Sequence, residues 1–247
     1  MAFASIGFGV QCLLRGDFVP GFQPVTQLLG NYPVLARVNG VVLLLGGAGL
    51  LLRKTAYRAA FLLGFFFLAC AFLLHIPRLI VGLSNGRVWT AAFETLAIAA
   101  SIFILSALLS RQRDAQPDSV SPYAARGGLI CYGIALPVFG VLHFIYPGYV
   151  ASVIPSWIPG HLFWTYAVGI LFCAAGLSIL TGIQSQLAAL LTGGMFGLWV
   201  LILHAPRVVA RPHNPYEWTS LFVALTMCGG AFLIAANLSG MGEHITS

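Results

Sequence analysis

Two copies of one short phrase carry several of the side chains that could do chemistry. Residues 75–78 read His-Ile-Pro-Arg and residues 204–207 read His-Ala-Pro-Arg, 129 positions further on. Three positions apart on a helix puts His75 and Arg78 on one face, and likewise His204 and Arg207. An imidazole can relay protons near neutral pH, and a guanidinium can bind a carbonyl or an anion. The competing assignment is structural. A His and an Arg at a helix C-terminus cap the last carbonyls and meet lipid phosphate. The sequence leaves both open. No haem-attachment motif accompanies the histidines, so a bis-histidine haem is not expected.

Glu94 is the next candidate. It falls inside an apolar run, where a carboxylate is costly unless paired or protonated. Arg37, near the start of another apolar run on the same side, is its expected partner. In the register of the repeated phrase, Arg37 corresponds to Tyr166 and Glu94 to Val223, so both charges are present in one half and absent from the other. A pocket pair and a structural pair both fit. The second half has its own group: His143, His161 and Tyr166. If Phe8-Gly9-Val10 is aligned with Phe139-Gly140-Val141, Cys12 stands where His143 stands.

Other polar residues read as scaffolding. Asn214-Pro215-Tyr216-Glu217 is a helix start with Asn at N-cap, Pro at N1 and Glu at N3, and Asn85 occupies the matching place. Trp89, Trp157, Trp164 and Trp218 suit an interfacial belt. The five cysteines form no Cys-x-x-Cys and sit in apolar runs, as small buried hydrophobes do. No Ser-His-Asp, His-Glu-x-x-His, P-loop or dinucleotide fingerprint is present. Neither a metal nor a haem is expected, and whether the chain is an enzyme is left open.

The elements that position these residues follow from composition. Of 247 residues, 59% are hydrophobic and 7% charged, against about 25% charged in soluble domains. Long apolar runs between short polar joints mean a polytopic membrane protein. The net charge of +6 sits at helix ends, where it meets headgroups, and no basic groove or stacking motif points to nucleic acid. No cleavable signal peptide is expected, because a positive n-region is lacking.

The apolar runs predict helices over about 2–14, 34–52, 56–78, 89–109, 128–146, 161–180, 184–208 and 216–238. Pro77 is expected to end or kink the third. The offset of 129 recurs in Trp89 and Trp218, in Asn85 and Asn214, and in Gly40 and Gly169. Such self-similarity marks an internal repeat. The expected organisation is a first four-helix repeat over 1–110, a polar linker over 111–127, a second repeat over 128–240 and a tail over 241–247. An even number of helices per half makes the repeats parallel. The fold class is therefore all-α and integral to the membrane, with eight transmembrane helices as two parallel four-helix repeats. With the helix-embedded arginines set aside, the positive residues place both termini in the cytoplasm.

Residues 128–235 resemble the DoxX-like family of small four-helix membrane proteins. The text that carries it is Phe139-Gly-Val-Leu-His143-Phe, Val153-Ile-Pro-Ser-Trp157-Ile-Pro159, Gly169, Gly176-Leu with a turn at Gly182, and the helix holding His204. The first half is covered mainly through the repeat. The resemblance implies a tandem fusion of two such units in a bacterial inner membrane. It also implies redox company, since some relatives are subunits of quinone-linked sulfur oxidation or partners of redox-defence enzymes. The leading functional expectation is an accessory subunit of redox or quinone-linked chemistry, holding a quinone or lipid-like ligand near the outer face and meeting a redox enzyme partner. Arg37, His75, Arg78, Glu94, His143, His161, Tyr166, His204 and Arg207 are its pocket candidates. A small-molecule or lipid transporter and a non-catalytic scaffold are the alternatives.

Overall fold

A backbone in lipid must satisfy its own hydrogen bonds, so long apolar runs become helices. The computed structural model describes residues 1–25, 30, 32–113 and 121–246, and every regular element among them is helical. In chain order these are α1 (Ala2–Arg15), α2 (Pro33–Leu51), α3 (Ala56–Val81), α4 (Gly86–Arg113), α5 (Ser121–Ile145), α6 (Pro147–Val153), α7 (His161–Thr181), α8 (Ser185–Ala210) and α9 (Pro215–Thr246). Seven are long and apolar enough to cross a membrane. The protein is thus a polytopic helical membrane protein. The remaining expected span, α1, has 14 residues. At 1.5 Å per residue that is about 21 Å, against roughly 30 Å for a hydrocarbon core.

Several boundaries differ from the sequence expectation. The linker expected over 111–127 is helical at both ends, because α4 runs to Arg113 and α5 starts at Ser121. Its middle, with Pro117 and Ser119, lies outside the described residues. The joint expected over 147–160 contains α6, which Pro147 opens at N1, where its missing N–H costs nothing. The expected tail is a continuation of α9 to Thr246.

The largest difference concerns Pro77. The helix does not end there; it continues to Val81. Just before the proline, Ala71–His75 form a π turn, and Val200–His204 form another just before Pro206. A proline ring clashes with the carbonyl four residues back and offers that carbonyl no donor. Leu73 and Ile202 hold those carbonyls, and both lie inside the widened turn, where the i→i+5 pattern moves the carbonyl aside. Each π turn also inserts one residue into the helical phase, which re-aims the histidine at its end.

Packing joins neighbours first: α1 to α2, α3 to α4, α5 to α7 and α8 to α9. The close approaches are made by glycine. A Cβ on Gly9 would meet the Gly40 carbonyl at 2.7 Å and the Leu44 nitrogen at 2.8 Å. One on Gly140 would meet the Gly169 carbonyl at 2.6 Å and the Cys173 nitrogen at 3.2 Å. Between helices in lipid, such backbone proximity replaces a hydrophobic drive. Gly64 faces the Phe103 ring, and Gly193 faces the Phe232 ring.

Across the middle, α4 packs on α9 and α5, and α1 packs on α9. Gly230 of α9 lies against Ser101 of α4. The Tyr132 hydroxyl of α5 donates to the Met227 carbonyl at 2.8 Å. Gly7 of α1 meets the Phe222 ring, and Gly21, in the connection after α1, meets Tyr216 at the start of α9. Phe22 in that connection accepts a hydrogen bond from His75. The two His-x-Pro-Arg phrases therefore emerge at the same end of the bundle, called here the histidine end.

Candidate functional site

His75 closes the π turn of α3 and is fully buried, at 0% exposure. Its Nε2 stands 3.1 Å from the Phe22 carbonyl and 3.1 Å from Thr95 Oγ1. A carbonyl can only accept, so Nε2 carries the proton. Thr95 gives its own proton to the Ala91 carbonyl at 2.7 Å, so its oxygen is an acceptor too. The second nitrogen, Nδ1, is buried without a partner. His75 therefore neither caps the last carbonyls of α3 nor reaches headgroups. The inserted residue of the π turn points it inward.

The same connection supplies Phe22, which is stacked on Phe8 at 5.2 Å and meets Phe67 edge-on at 6.0 Å. Its neighbour Gln23 forms a paired amide contact with Asn39 of α2. Gln23 Nε2 donates to Asn39 Oδ1 at 3.2 Å, and Asn39 Nδ2 donates to Gln23 Oε1 at 2.9 Å. Asn39 Nδ2 also reaches Cys12 Sγ at 3.3 Å, and Gln23 Nε2 lies 4.0 Å from Cys70 Sγ. This buried polar knot ties the connection to α1, α2 and α3. Burial of four amide atoms is tolerable because each is satisfied.

The corresponding positions of the second half differ at every member. In the offset of 129, Asn39, Cys70 and Thr95 correspond to Val168, Trp199 and Ala224. In the alignment that places Cys12 with His143, Phe22 and Gln23 correspond to Val153 and Ile154. The polar knot is absent there. His143 Nδ1 pairs with the Phe139 carbonyl of its own helix at 2.8 Å, and its ring packs on Phe172 at 5.4 Å. Phe172, Phe196 and Trp199 pack edge-on or tilted into one aromatic group, with centroids 5.4–5.7 Å apart.

Two ion pairs converge on Glu217. Its Oε2 is 2.8 Å from Arg207 Nε, and its Oε1 is 2.8 Å from Arg211 Nη2. Arg207 Nη2 also donates to Oε1 at 3.3 Å. The Glu217 side chain is 4% exposed, against 32% for Arg207 and 56% for Arg211. Its place at N3 after Asn214 predicts a capping-box role for Glu217. Asn214 does cap α9, accepting from the Tyr216 N–H at 3.0 Å, as Asn85 accepts from the Arg87 N–H at 3.1 Å. The Asn214 N–H, however, goes to the Arg211 carbonyl at 3.0 Å. The Glu217 carboxylate is thereby left for the arginines. In the first half, Arg78 keeps its place but Val88 and Gly82 stand where Glu217 and Arg211 would be.

The expected Arg37–Glu94 pair is not formed. Among the described residues Glu94 has no hydrogen bond or ion pair, and Arg37 is exposed with its guanidinium over Gly16. The two lie on helices that do not pack tightly, since α2 neighbours α1 and α3 while α4 is central. Tyr166 stacks on Phe144 at 6.2 Å and is 42% exposed. His161 opens α7 and is half-buried. The nine candidates thus do not converge on one pocket.

A cavity of about 410 Å³ opens at the histidine end of the second half, lined by Val153, Pro155, Trp157, Leu201, Ile202, Leu203, Pro206 and Arg207. Of the nine candidates, Arg207 is the one on its wall. His204 lies in the chain between the wall residues Leu203 and Pro206 without lining the cavity itself, half-buried, with Nδ1 buried and without a hydrogen-bond partner among the described residues. Among the described residues no three His, Cys, Asp or Glu side chains cluster as a metal would need. Gln23, Asn39, Thr95 and Glu217 were not among the expected site residues. An amide such as Asn39 inside an apolar run is itself a signal, because polar groups at membrane depth need a partner.

The sequence model of a family described as a domain of unknown function (DUF8561) matches residues 132–224. That stretch is under half of the 247 residues and runs from α5 to the first turns of α9. No curated protein and no solved structure matches the chain.

Proposed function

We propose that the protein is an accessory membrane subunit of redox or quinone-linked chemistry, binding a quinone or lipid-like amphiphile at the histidine end of its second half and meeting a redox enzyme partner there. The observation that carries the binding is the cavity of about 410 Å³, with seven apolar or aromatic wall residues and one guanidinium. That volume and lining fit a small ligand with an apolar body and one polar group. Glu217 holds two of the three guanidinium nitrogens of Arg207, which leaves Nη1 for an acceptor on the ligand.

Within the same proposal, the chain is a parallel tandem of two DoxX-like four-helix units making eight spans, in a bacterial inner membrane with both termini cytoplasmic. The duplication is supported by elements that share one offset. The π turns at 71–75 and 200–204, the starts of α4 and α9, and the Gly64–Phe103 and Gly193–Phe232 contacts are all 129 residues apart. The cytoplasmic termini are supported by Arg53, Lys54, Arg58, Arg111 and Arg126 at the other end.

The test is to purify the protein in detergent and identify extracted small molecules by mass spectrometry, alongside a Val153→Trp variant that fills the cavity. A quinone or single amphiphile in stoichiometric amount, lost in the variant, is the expected result. A polar solute would favour a transporter, and bulk lipid alone in both proteins would sink the reading.

A further inference from the structure

Charge at the cavity is not balanced. Arg207 is the one charged residue among its eight wall residues. Beside it stand Arg211 and Glu217, so two guanidinium groups share a single carboxylate. One positive charge is left over next to an apolar space. The way Glu217 is used decides which part of Arg207 is free. Its carboxylate takes the side edge of the guanidinium, with Oε2 2.8 Å from Nε and Oε1 3.3 Å from Nη2. The end edge, Nη1 with the outer N–H of Nη2, has no partner among the described residues, and Nη1 is not buried. Parallel N–H groups along one guanidinium edge are the geometry that grips a carboxylate or phosphate. The first half has no such edge beside a space. Val88 and Gly82 stand at the places of Glu217 and Arg211, and Phe22, the counterpart of the wall residue Val153, is 1% exposed.

We infer that the cavity binds a single-chain amphiphile with an oxyanion headgroup, the negative charge on the end edge of Arg207 and the chain against Val153, Trp157 and Leu201. This rests on the cavity reading above and narrows it to an anionic occupant. The volume of about 410 Å³ is near the lower end of the roughly 300–1,000 Å³ of small-molecule pockets, which suits one chain and one headgroup rather than two chains. A neutral amphiphile with the same chain fills the volume but leaves the surplus charge uncompensated. A cationic one meets it as a like charge. The site therefore selects by the charge of the headgroup.

Three probes with one chain length separate these cases: decanoate, decanol and decyltrimethylammonium. Their binding to the full-length protein in nanodiscs of zwitterionic lipid is followed by titration calorimetry above neutral pH, with empty nanodiscs as the partition background. The wild type is expected to bind decanoate about tenfold or more tighter than decanol beyond that background, with the ammonium weakest. Arg207→Gln is expected to bring decanoate to within about twofold of decanol. Adding phosphatidylglycerol, a two-chain anionic lipid, should leave decanoate binding unchanged beyond the shift seen with empty nanodiscs; displacement would make the occupant bulk lipid and overturn the single-chain assignment. A wild type that binds the probes without preferring decanoate to both others overturns the inference, whether or not Arg207→Gln folds. So does a preference that survives in a folded Arg207→Gln protein. If no probe binds above the empty-disc level, the cavity reading itself fails, and this inference with it.

Discussion

The amide pair Gln23–Asn39 offers the sharpest check on how the first half holds together. Asn39→Val copies the residue at the corresponding place of the second half, Val168. It removes the two amide bonds of 3.2 and 2.9 Å and strands Gln23 Nε2 with Cys70 Sγ at 4.0 Å. Gln23 Oε1 keeps the Val19 N–H at 3.4 Å. Two net hydrogen bonds at about 1 kcal/mol each, plus about 1–2 for a buried unsatisfied donor, give roughly 3–4 kcal/mol of lost stability. Gln23→Ile, copying Ile154, should cost a similar amount by stranding the Asn39 carbonyl. The double variant strands neither amide and replaces both by apolar side chains, leaving only the Val19 N–H without its long 3.4 Å acceptor, so it should cost about 2–3 kcal/mol. The expected coupling is therefore about 2 kcal/mol or more. Equilibrium unfolding in mixed micelles with increasing dodecyl sulfate measures all four corners of the cycle. Additive costs for the two single variants would refute the reasoning, because they would mean that the two amides do not depend on each other.

Glu217→Gln leaves two guanidinium groups facing each other without their shared carboxylate. The loss should be about 1–3 kcal/mol, because Glu217 is buried while both arginines are partly solvated, and adding Arg207→Gln should recover part of it in the same unfolding assay. Arg37→Gln and Glu94→Gln should be additive to within about 0.5 kcal/mol, because no contact joins them; a coupling above about 1 kcal/mol would restore the pair expected from sequence.

Much of the architecture was legible because the rules governing it are one-dimensional. Apolar runs of membrane length became helices, and Asn85 and Asn214 cap where a polar side chain before a helix start should. Trp89 and Trp218 each donate Nε1–H to a carbonyl six residues earlier, Leu83 and Pro212, at 2.9 Å. The misses have a common physical origin. Pro77 is expected to end or kink its helix because a standard α-turn cannot hold it, and nothing in the local residues announces that the backbone will widen instead and carry the helix on to Val81. Glu94 was given Arg37 as a partner from their shared absence in the other half, but coincident absence carries no distance. A carboxylate at N3, as Glu217 is, fits two geometries, and only the position of Arg207 and Arg211 across the turn decides between them. Gln23 lies in a connection rich in proline and glycine, where polar residues normally face water. Its burial depends on that joint folding back into the bundle, which is a tertiary event.

The contacts between α1 and α9 have a consequence for how the protein is made. Gly7 and Gln11 meet Phe222 and Thr219, more than 200 residues later in the chain. A ribosome delivers the first of these long before the last, so α1 must wait with its Gly7–Gln11 surface unmatched until synthesis is nearly over. Loop closure over such a span is a late and slow step. Expressing residues 1–110 and 121–247 as separate polypeptides removes the order of delivery while keeping the surfaces. The two pieces should then find each other in the bilayer, and neither should survive quality control by itself.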